Sequence, residues 1–190
     1  MIVGITGGSG AGKSTALRIL EKEFRGAVID CDAIYHELLN DSTDMKNEIA
    51  ATFPECIVMG KVDRTLLARI VFPEPRKLVR LNKITHKYVA FEVESLLAMS
   101  RGLIAIDAIA LLESSLKVYC DKIIVITAPE GERLERIIKR DNISEEQAKM
   151  RLNAQHPEEY YIEHADYILR NERGLDVFER KCRELFYEIL

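Results

Sequence analysis

Long apolar runs are missing from this sequence. None approaches the roughly 18–20 residues that cross a bilayer, so no membrane-spanning segment is expected. Paired cysteines are missing too. Cys31, Cys56, Cys120 and Cys182 lie far apart, with no Cys-x-x-Cys pair and no zinc-type spacing. That argues against a disulfide framework and a structural zinc site, and points to free thiols in a reducing compartment. Neither sign of charge dominates: 27 Lys and Arg stand against 31 Asp and Glu, for a formal net charge of −4. Such a balance gives no general pull toward nucleic acid or an anionic membrane surface. Repeats, low-complexity tracts and linker-like stretches are also lacking. Met1 leads straight into an apolar, strand-like run, so no signal peptide is expected, and the location expected is cytoplasmic.

What is present suits one domain, or one domain carrying an inserted subdomain. The chain has 190 residues, and a hydrophobic fraction of 47% is ample for a core. The most informative stretch is Gly7-Gly8-Ser9-Gly10-Ala11-Gly12-Lys13-Ser14-Thr15, directly after Ile2-Val3-Gly4-Ile5 and opening a run with helical spacing. This is the G-x-x-x-x-G-K-[ST] pattern in a strand–loop–helix setting. Its glycines let the backbone fold so that N–H groups point at a polyphosphate. The helix that follows adds roughly half a positive charge at the same place. Lys13 is expected to bridge the outer phosphates and Ser14 to ligate magnesium. The alternative, a plain glycine-rich turn, does not explain the intact Gly12-Lys13-Ser14-Thr15.

Four further segments read as buried strands: Ala27–Asp30, Leu103–Asp107, Lys122–Thr127 and Tyr167–Leu169. Helical patterns separate them, which argues for a parallel sheet with helices on both faces. The first helix is expected from about Gly12 to Phe24. Between the second and third strands lie some seventy residues with no strand-like run. Helical stretches near Asp32–Leu39, Asp63–Val71 and Pro75–Met99 make this an expected helical cap over the edge where open parallel sheets bind ligands. After the fourth strand, Glu130–Arg140 reads as a helix broken at Asp141-Asn142, and Ser144 to Gln147 as a capping box for the next. Two such helices would form a lid, which a phosphoryl-transfer enzyme needs to keep water out.

Asp30-Cys31-Asp32 ends the second strand, where an acceptor hydroxyl needs a carboxylate to orient it and take its proton. Strand alternation would send Asp30 and Asp32 to one side. Equally, Asp32 would serve as the N-cap of a helix beginning at Ala33. Asp107 closes an apolar strand, the position of an acid that holds magnesium directly or through water, and Glu113 is a weaker candidate. Arg133, Arg136 and Arg140 share one helix face and suit a grip on ATP phosphates, the other reading being a solvated face with Glu132–Arg136 and Glu135–Lys139 pairs. Arg140 has no acid at i−4 or i+4 and leads, with Arg136 second; Arg151 is a further candidate. His86 lies in the cap with Lys83 and Lys87 near it, where a lone His is usually structural, and Arg64 after Asp63 at a helix start is similarly ambiguous.

Taken in order, these residues resemble the dephospho-coenzyme A kinases. The match runs from the loop through Val28 to Asp32, Gly60 to Arg64, Ile84 to His86 and Asp107 with Leu111 to Glu113. It continues over Arg136 to Asp141, Arg151 to Gln155, Ala165 to Leu169 and Asn171. The resemblance implies an α/β, three-layer P-loop NTPase fold of the nucleoside-monophosphate-kinase kind. It has a five-stranded parallel sheet, a helical acceptor-binding insertion at about 33–101 and a lid at about 130–156. It implies transfer of the ATP γ-phosphate to the ribose 3′-hydroxyl of dephospho-coenzyme A with Mg2+, in a monomer or weak homo-oligomer that binds neither nucleic acid nor membrane. Gly8, Ser9, Gly10, Ala11, Gly12, Lys13, Ser14, Thr15, Arg136 and Arg140 would hold ATP. Asp32 would be the catalytic carboxylate, acting with Lys13 and Arg140. Arg64, His86, Asp32 and Asp107 would meet the acceptor, and Ser14 and Asp107 the metal. The chain departs from the family pattern at Cys31, Lys87, Ile109, Arg133 and Tyr161. The nearest rival is a kinase of a nucleoside, nucleotide or shikimate-like alcohol. A GTPase switch lacks its motifs, since Asn82-Lys83-Ile84-Thr85 has no Asp and no D-x-x-G precedes it.

Overall fold

The apolar run at the start of the chain becomes β1 (Ile2–Thr6), the middle strand of a five-stranded parallel sheet in this computed structural model, which describes residues 1–190. β2 (Ala27–Asp30) is one edge strand, and a separate hairpin of β3 (Ile57–Val58) and β4 (Lys61–Val62) follows it in the chain. β5 (Ile104–Asp107), β6 (Lys122–Thr127) and β7 (Tyr167–Arg170) complete the sheet, in the order β2-β5-β1-β6-β7. Every neighbouring pair is parallel, so a crossover joins each to the next, and helices cover both faces.

Alternation along the strands sorts the two faces. Val3, Ile5, Ala105, Ile124, Ile126 and Leu169 form one core with Ala16, Leu17 and Leu20 of α1 (Lys13–Phe24). Phe178, Cys182, Leu185 and Phe186 of α9 (Leu175–Ile189) close it. On the other face Val125 packs with Leu112 and with Tyr161 of α8 (Glu158–Ile162). Tyr161, one of the positions that depart from the expected pattern, is 4% exposed and so belongs to the core. Burial also pushes the Cys182 thiol up to about 12, which leaves it an inert apolar group.

The chain divides into two compact units, residues 1–30 with 100–190 and residues 31–99. The second unit holds α2 (Cys31–Asp41), α3 (Thr43–Thr52), the β3–β4 hairpin, α4 (Arg64–Val71) and α5 (Pro75–Met99) around Met45, Ile49, Phe53, Cys56, Leu67, Val71, Leu81 and Ile84. The expectation of a strand-free stretch here needs correcting. Met59 and Gly60 both take positive φ, 49° and 76°, the backbone that closes a two-residue hairpin. Two-residue strands are too short to show alternation. α3 is likewise an element beyond those expected, as is α9.

A second correction concerns Asp32. α2 begins at Cys31, one residue after β2 ends, so Asp32 lies in the first helical turn. It is neither an extension of the strand nor an N-cap before Ala33. With no loop residue separating strand from helix, the alternation that would pair it with Asp30 stops one residue early. The first turn is still a favourable place for a carboxylate, beside the positive end of the helix.

Candidate active site

The loop between β1 and α1 is shaped by what holds its carbonyl groups. Gly7 O accepts from Lys13 Nζ at 2.8 Å, Gly8 O from Ala11 N at 3.2 Å and Ser9 O from Arg133 Nε at 3.0 Å. Gly10 O accepts from Arg136 Nη1 at 3.1 Å, and Ala11 O from Asn171 Nδ2 at 2.8 Å. Five consecutive carbonyls are thus engaged, three of them by side chains brought from α6 (Glu130–Asp141) and from the residue after β7. Carbonyls held this way leave the N–H side of the backbone to form the concave, anion-seeking surface. Gly10 shows why glycine is needed: its φ is 77°, and a Cβ there would lie 2.6 Å from Arg133 O.

Helix α1 continues that surface. Gly12 is its N-cap at φ 114°, with no side-chain cap and no acid in the first turn. Its opening N–H groups and dipole are therefore offered without a competing carboxylate. Lys13 arches back to the first residue of the loop, which sets its ammonium across the nest. Asn171 is 6% exposed and spans two elements, its backbone N–H donating to Thr127 O at 2.8 Å while its side chain holds Ala11.

Beside the loop, the sheet register puts Asp107 level with Ile5 on one side and with Asp30 on the other. Three strand ends thus meet at the C-terminal edge, two of them carboxylates, and Asp107 Oδ1 is shut off from solvent. No group of three or more His, Cys, Asp or Glu residues stands ready to cage a metal. Magnesium at nucleotide sites typically uses one or two protein oxygens and takes the rest from phosphate and water. A Ser14 hydroxyl and one carboxylate fit that ion.

The arginines divide. Arg133 and Arg136 reach the loop, and Arg136 also pairs with Glu132, as the i, i+4 spacing suggests. Arg140 has a partner at the C-terminal end of the same helix. It makes a two-pronged pair with Asp141, at 2.7 and 2.9 Å, and Arg151 from α7 (Glu145–Asn153) holds the same carboxylate. No acid stands at i−4 or i+4, as read from the sequence, and the partner is the immediate neighbour instead. Hydrogen bonding from Arg140, with charge from both arginines, holds Asp141 below the usual carboxylate range. The turn at Asn142 (φ 50°) and the Ser144–Gln147 capping box are as expected.

Sequence reasoning gave Gln155 and Asn171 no role beyond the resemblance, yet both grip the loop: Ser9 N donates to Gln155 Oε1 at 3.0 Å. Nothing local signals these contacts, since 146 and 160 residues separate the partners. In the residue 31–99 unit, Arg64 follows the N-cap Asp63 and donates to His36 Nδ1 at 2.8 Å. His86 is half-buried on α5. Lys87 pairs with Glu48, whose pKa is lowered by that bond and by Tyr88. Lys87, one of the departures from the family pattern, thus makes an ion pair.

A parallel sheet whose central strand runs into this loop, with a lysine and an uncapped helix behind it, defines a P-loop kinase fold. Comparison with known proteins narrows the class. The family model described as dephospho-CoA kinase matches residues 1–176. The dephospho-CoA kinase of Carboxydothermus hydrogenoformans is 34% identical over 181 residues, 92% of this chain and 87% of its own length. Among solved structures, the dephospho-CoA kinase from Campylobacter jejuni superposes with a TM-score of 0.68 at 26% identity, covering 99% of this chain and 96% of that one. A shikimate kinase from Bacteroides thetaiotaomicron shares the fold alone, at a TM-score of 0.60 and 12% identity over 98% of both chains. This chain belongs to the dephospho-CoA kinase family.

Proposed function

We propose that the chain transfers the γ-phosphate of ATP to the ribose 3′-hydroxyl of dephospho-coenzyme A, giving coenzyme A and ADP in the last step of coenzyme A synthesis. The observation that carries this is the loop with its five engaged carbonyls and the Lys13 ammonium lying across it, in a chain of this family. The nest and the α1 N-terminus bind the triphosphate, with contacts from Gly8 through Thr15. Lys13 neutralises charge on the outer phosphates as it shifts to the leaving oxygen.

Asp32 orients the acceptor hydroxyl and receives its proton. Chain connectivity supports this: Asp32 is two residues beyond Asp30, the last residue of β2. Arg64 and His86, from the 31–99 unit, supply acceptor contacts, a role that rests on the family resemblance. Residues 130–156 serve as the lid, from which Arg136 and Arg140 turn to the transferring group once nucleotide binds. That requires Arg140 to leave Asp141, an exposed pair of the kind that costs at most about 1 kcal/mol to break. Ser14 and Asp107 are the residues that would hold magnesium. When bound, that ion shields the phosphate oxygens and polarises the phosphorus toward attack. The four free thiols support a cytoplasmic location.

A coupled assay of ADP release tests the assignment with dephospho-coenzyme A, a nucleoside monophosphate and shikimate as acceptors. Turnover with dephospho-coenzyme A alone is expected; preference for either rival contradicts the proposal. In the same assay Asp32→Asn should lower kcat by about 100-fold or more while leaving ATP affinity within a few-fold. An unchanged kcat removes Asp32 from this role.

A further inference from the structure

Gln155, two residues past α7, holds the apex of the phosphate loop by both ends of its amide. Its Oε1 accepts from Ser9 N at 3.0 Å and from Arg133 Nη2 at 2.9 Å, and its Nε2 lies 2.7 Å from Ser9 Oγ. Chemistry fixes the orientation. A backbone N–H and a guanidinium only donate, so the amide oxygen must face them; a flipped amide would set its NH2 against two donors. The nitrogen end must then donate to Ser9 Oγ. That hydroxyl is an acceptor toward Gln155, and its single proton has to point elsewhere. Arg133 Nε fixes the remaining polar group of the residue, Ser9 O, at 3.0 Å.

The consequence concerns which group Ser9 offers to a nucleotide. Its backbone N–H is committed to Gln155, whereas its O–H is left to donate. Ser9 lies two residues beyond Gly7, whose carbonyl holds the Lys13 ammonium, so its hydroxyl stands on the same limb of the loop as the group that neutralises the outer phosphates. We infer that Gln155, braced by Arg133, is a positioning residue that presents the Ser9 hydroxyl proton to the outermost phosphate of ATP. The inference deepens the proposed function and rests on the loop being the ATP site. It also explains what Arg133 contributes in this chain, since a positive charge there locks the amide the right way round.

The test is nucleotide binding by calorimetry, with ATP and ADP in magnesium buffer, for the unaltered protein, Ser9→Ala, Gln155→Glu and the double variant. Glutamate keeps both acceptor contacts but sets a second acceptor against Ser9 Oγ, so the hydroxyl turns back to donate to it. Each single variant should bind ATP about tenfold more weakly, the worth of one charge-assisted hydrogen bond. ADP should change by less than about twofold, which also confirms an intact fold. The double variant should be no worse than either single one, because both remove the same contact. Equal ATP affinity in Ser9→Ala overturns the inference, and that variant decides the matter even if Gln155→Glu fails to fold. Losses that multiply in the double variant overturn it too, since Gln155 would then act without Ser9. Failure of the unaltered protein to bind ATP would instead overturn the assignment of the loop.

Discussion

Asn171 concentrates the single-residue case. It is buried, and its side chain donates to the carbonyl of Ala11 while its backbone ties into the end of β6. Asn171→Leu would leave Ala11 O unsatisfied in a dry place, at about 1–3 kcal/mol. The expected result is a lower Tm and weaker ATP binding together, measured by thermal denaturation with and without nucleotide. Lys13→Met behaves differently, because Lys13 acts on phosphate charge. Turnover should vanish, at least about 1,000-fold, with the Tm held within a few degrees. The two residues also differ in legibility. Lys13 and Ser14 announce themselves by spacing within one motif, as the strand–loop–helix order demands. Asn171, Gln155 and Arg133 contact the loop from more than 120 residues away, and no local pattern records a contact at that separation.

Helix α6 and its partner α7 show the same limits one level up. Their boundaries were readable because a left-handed Asn142 and a capping box are local chemistry. What joins them was not, for Asp141 takes Arg140 from its own helix and Arg151 from the next. A carboxylate held below the usual value of 3.8 adds stability above that value and loses it as the pH falls through its own lower midpoint. The hairpin should therefore keep its hydrogen-exchange protection at neutral pH and begin to lose it only below about pH 3.8. Asp141→Asn should exchange faster over residues 142–153 already at pH 7. Equal protection in that variant would show the ion pair to be idle. α3 was unreadable for a related reason: it buries only Met45 and Ile49, too few apolar positions to mark a helical face.

Seen as a whole molecule, the chain combines a parallel sheet of order β2-β5-β1-β6-β7 with a separate helical unit spanning 31–99. The five sheet strands were legible because buried strands are short apolar runs bounded by turns, whereas the two-residue strands β3 and β4 in the long insertion were not. Strand order was not, since each parallel neighbour is reached by a crossover and apolar runs carry no address. Asp32 suffers from the same gap, as its place depends on β2 entering α2 without a loop.

The most direct measurement is mass spectrometry of dephospho-coenzyme A incubated with ATP, magnesium and the purified protein, with fragmentation to locate the modification. The account predicts one added phosphate on the ribose 3′-oxygen, formed by the unaltered protein and not by Lys13→Met. An unmodified acceptor while ATP is hydrolysed, or a phosphate on any other atom, would contradict it.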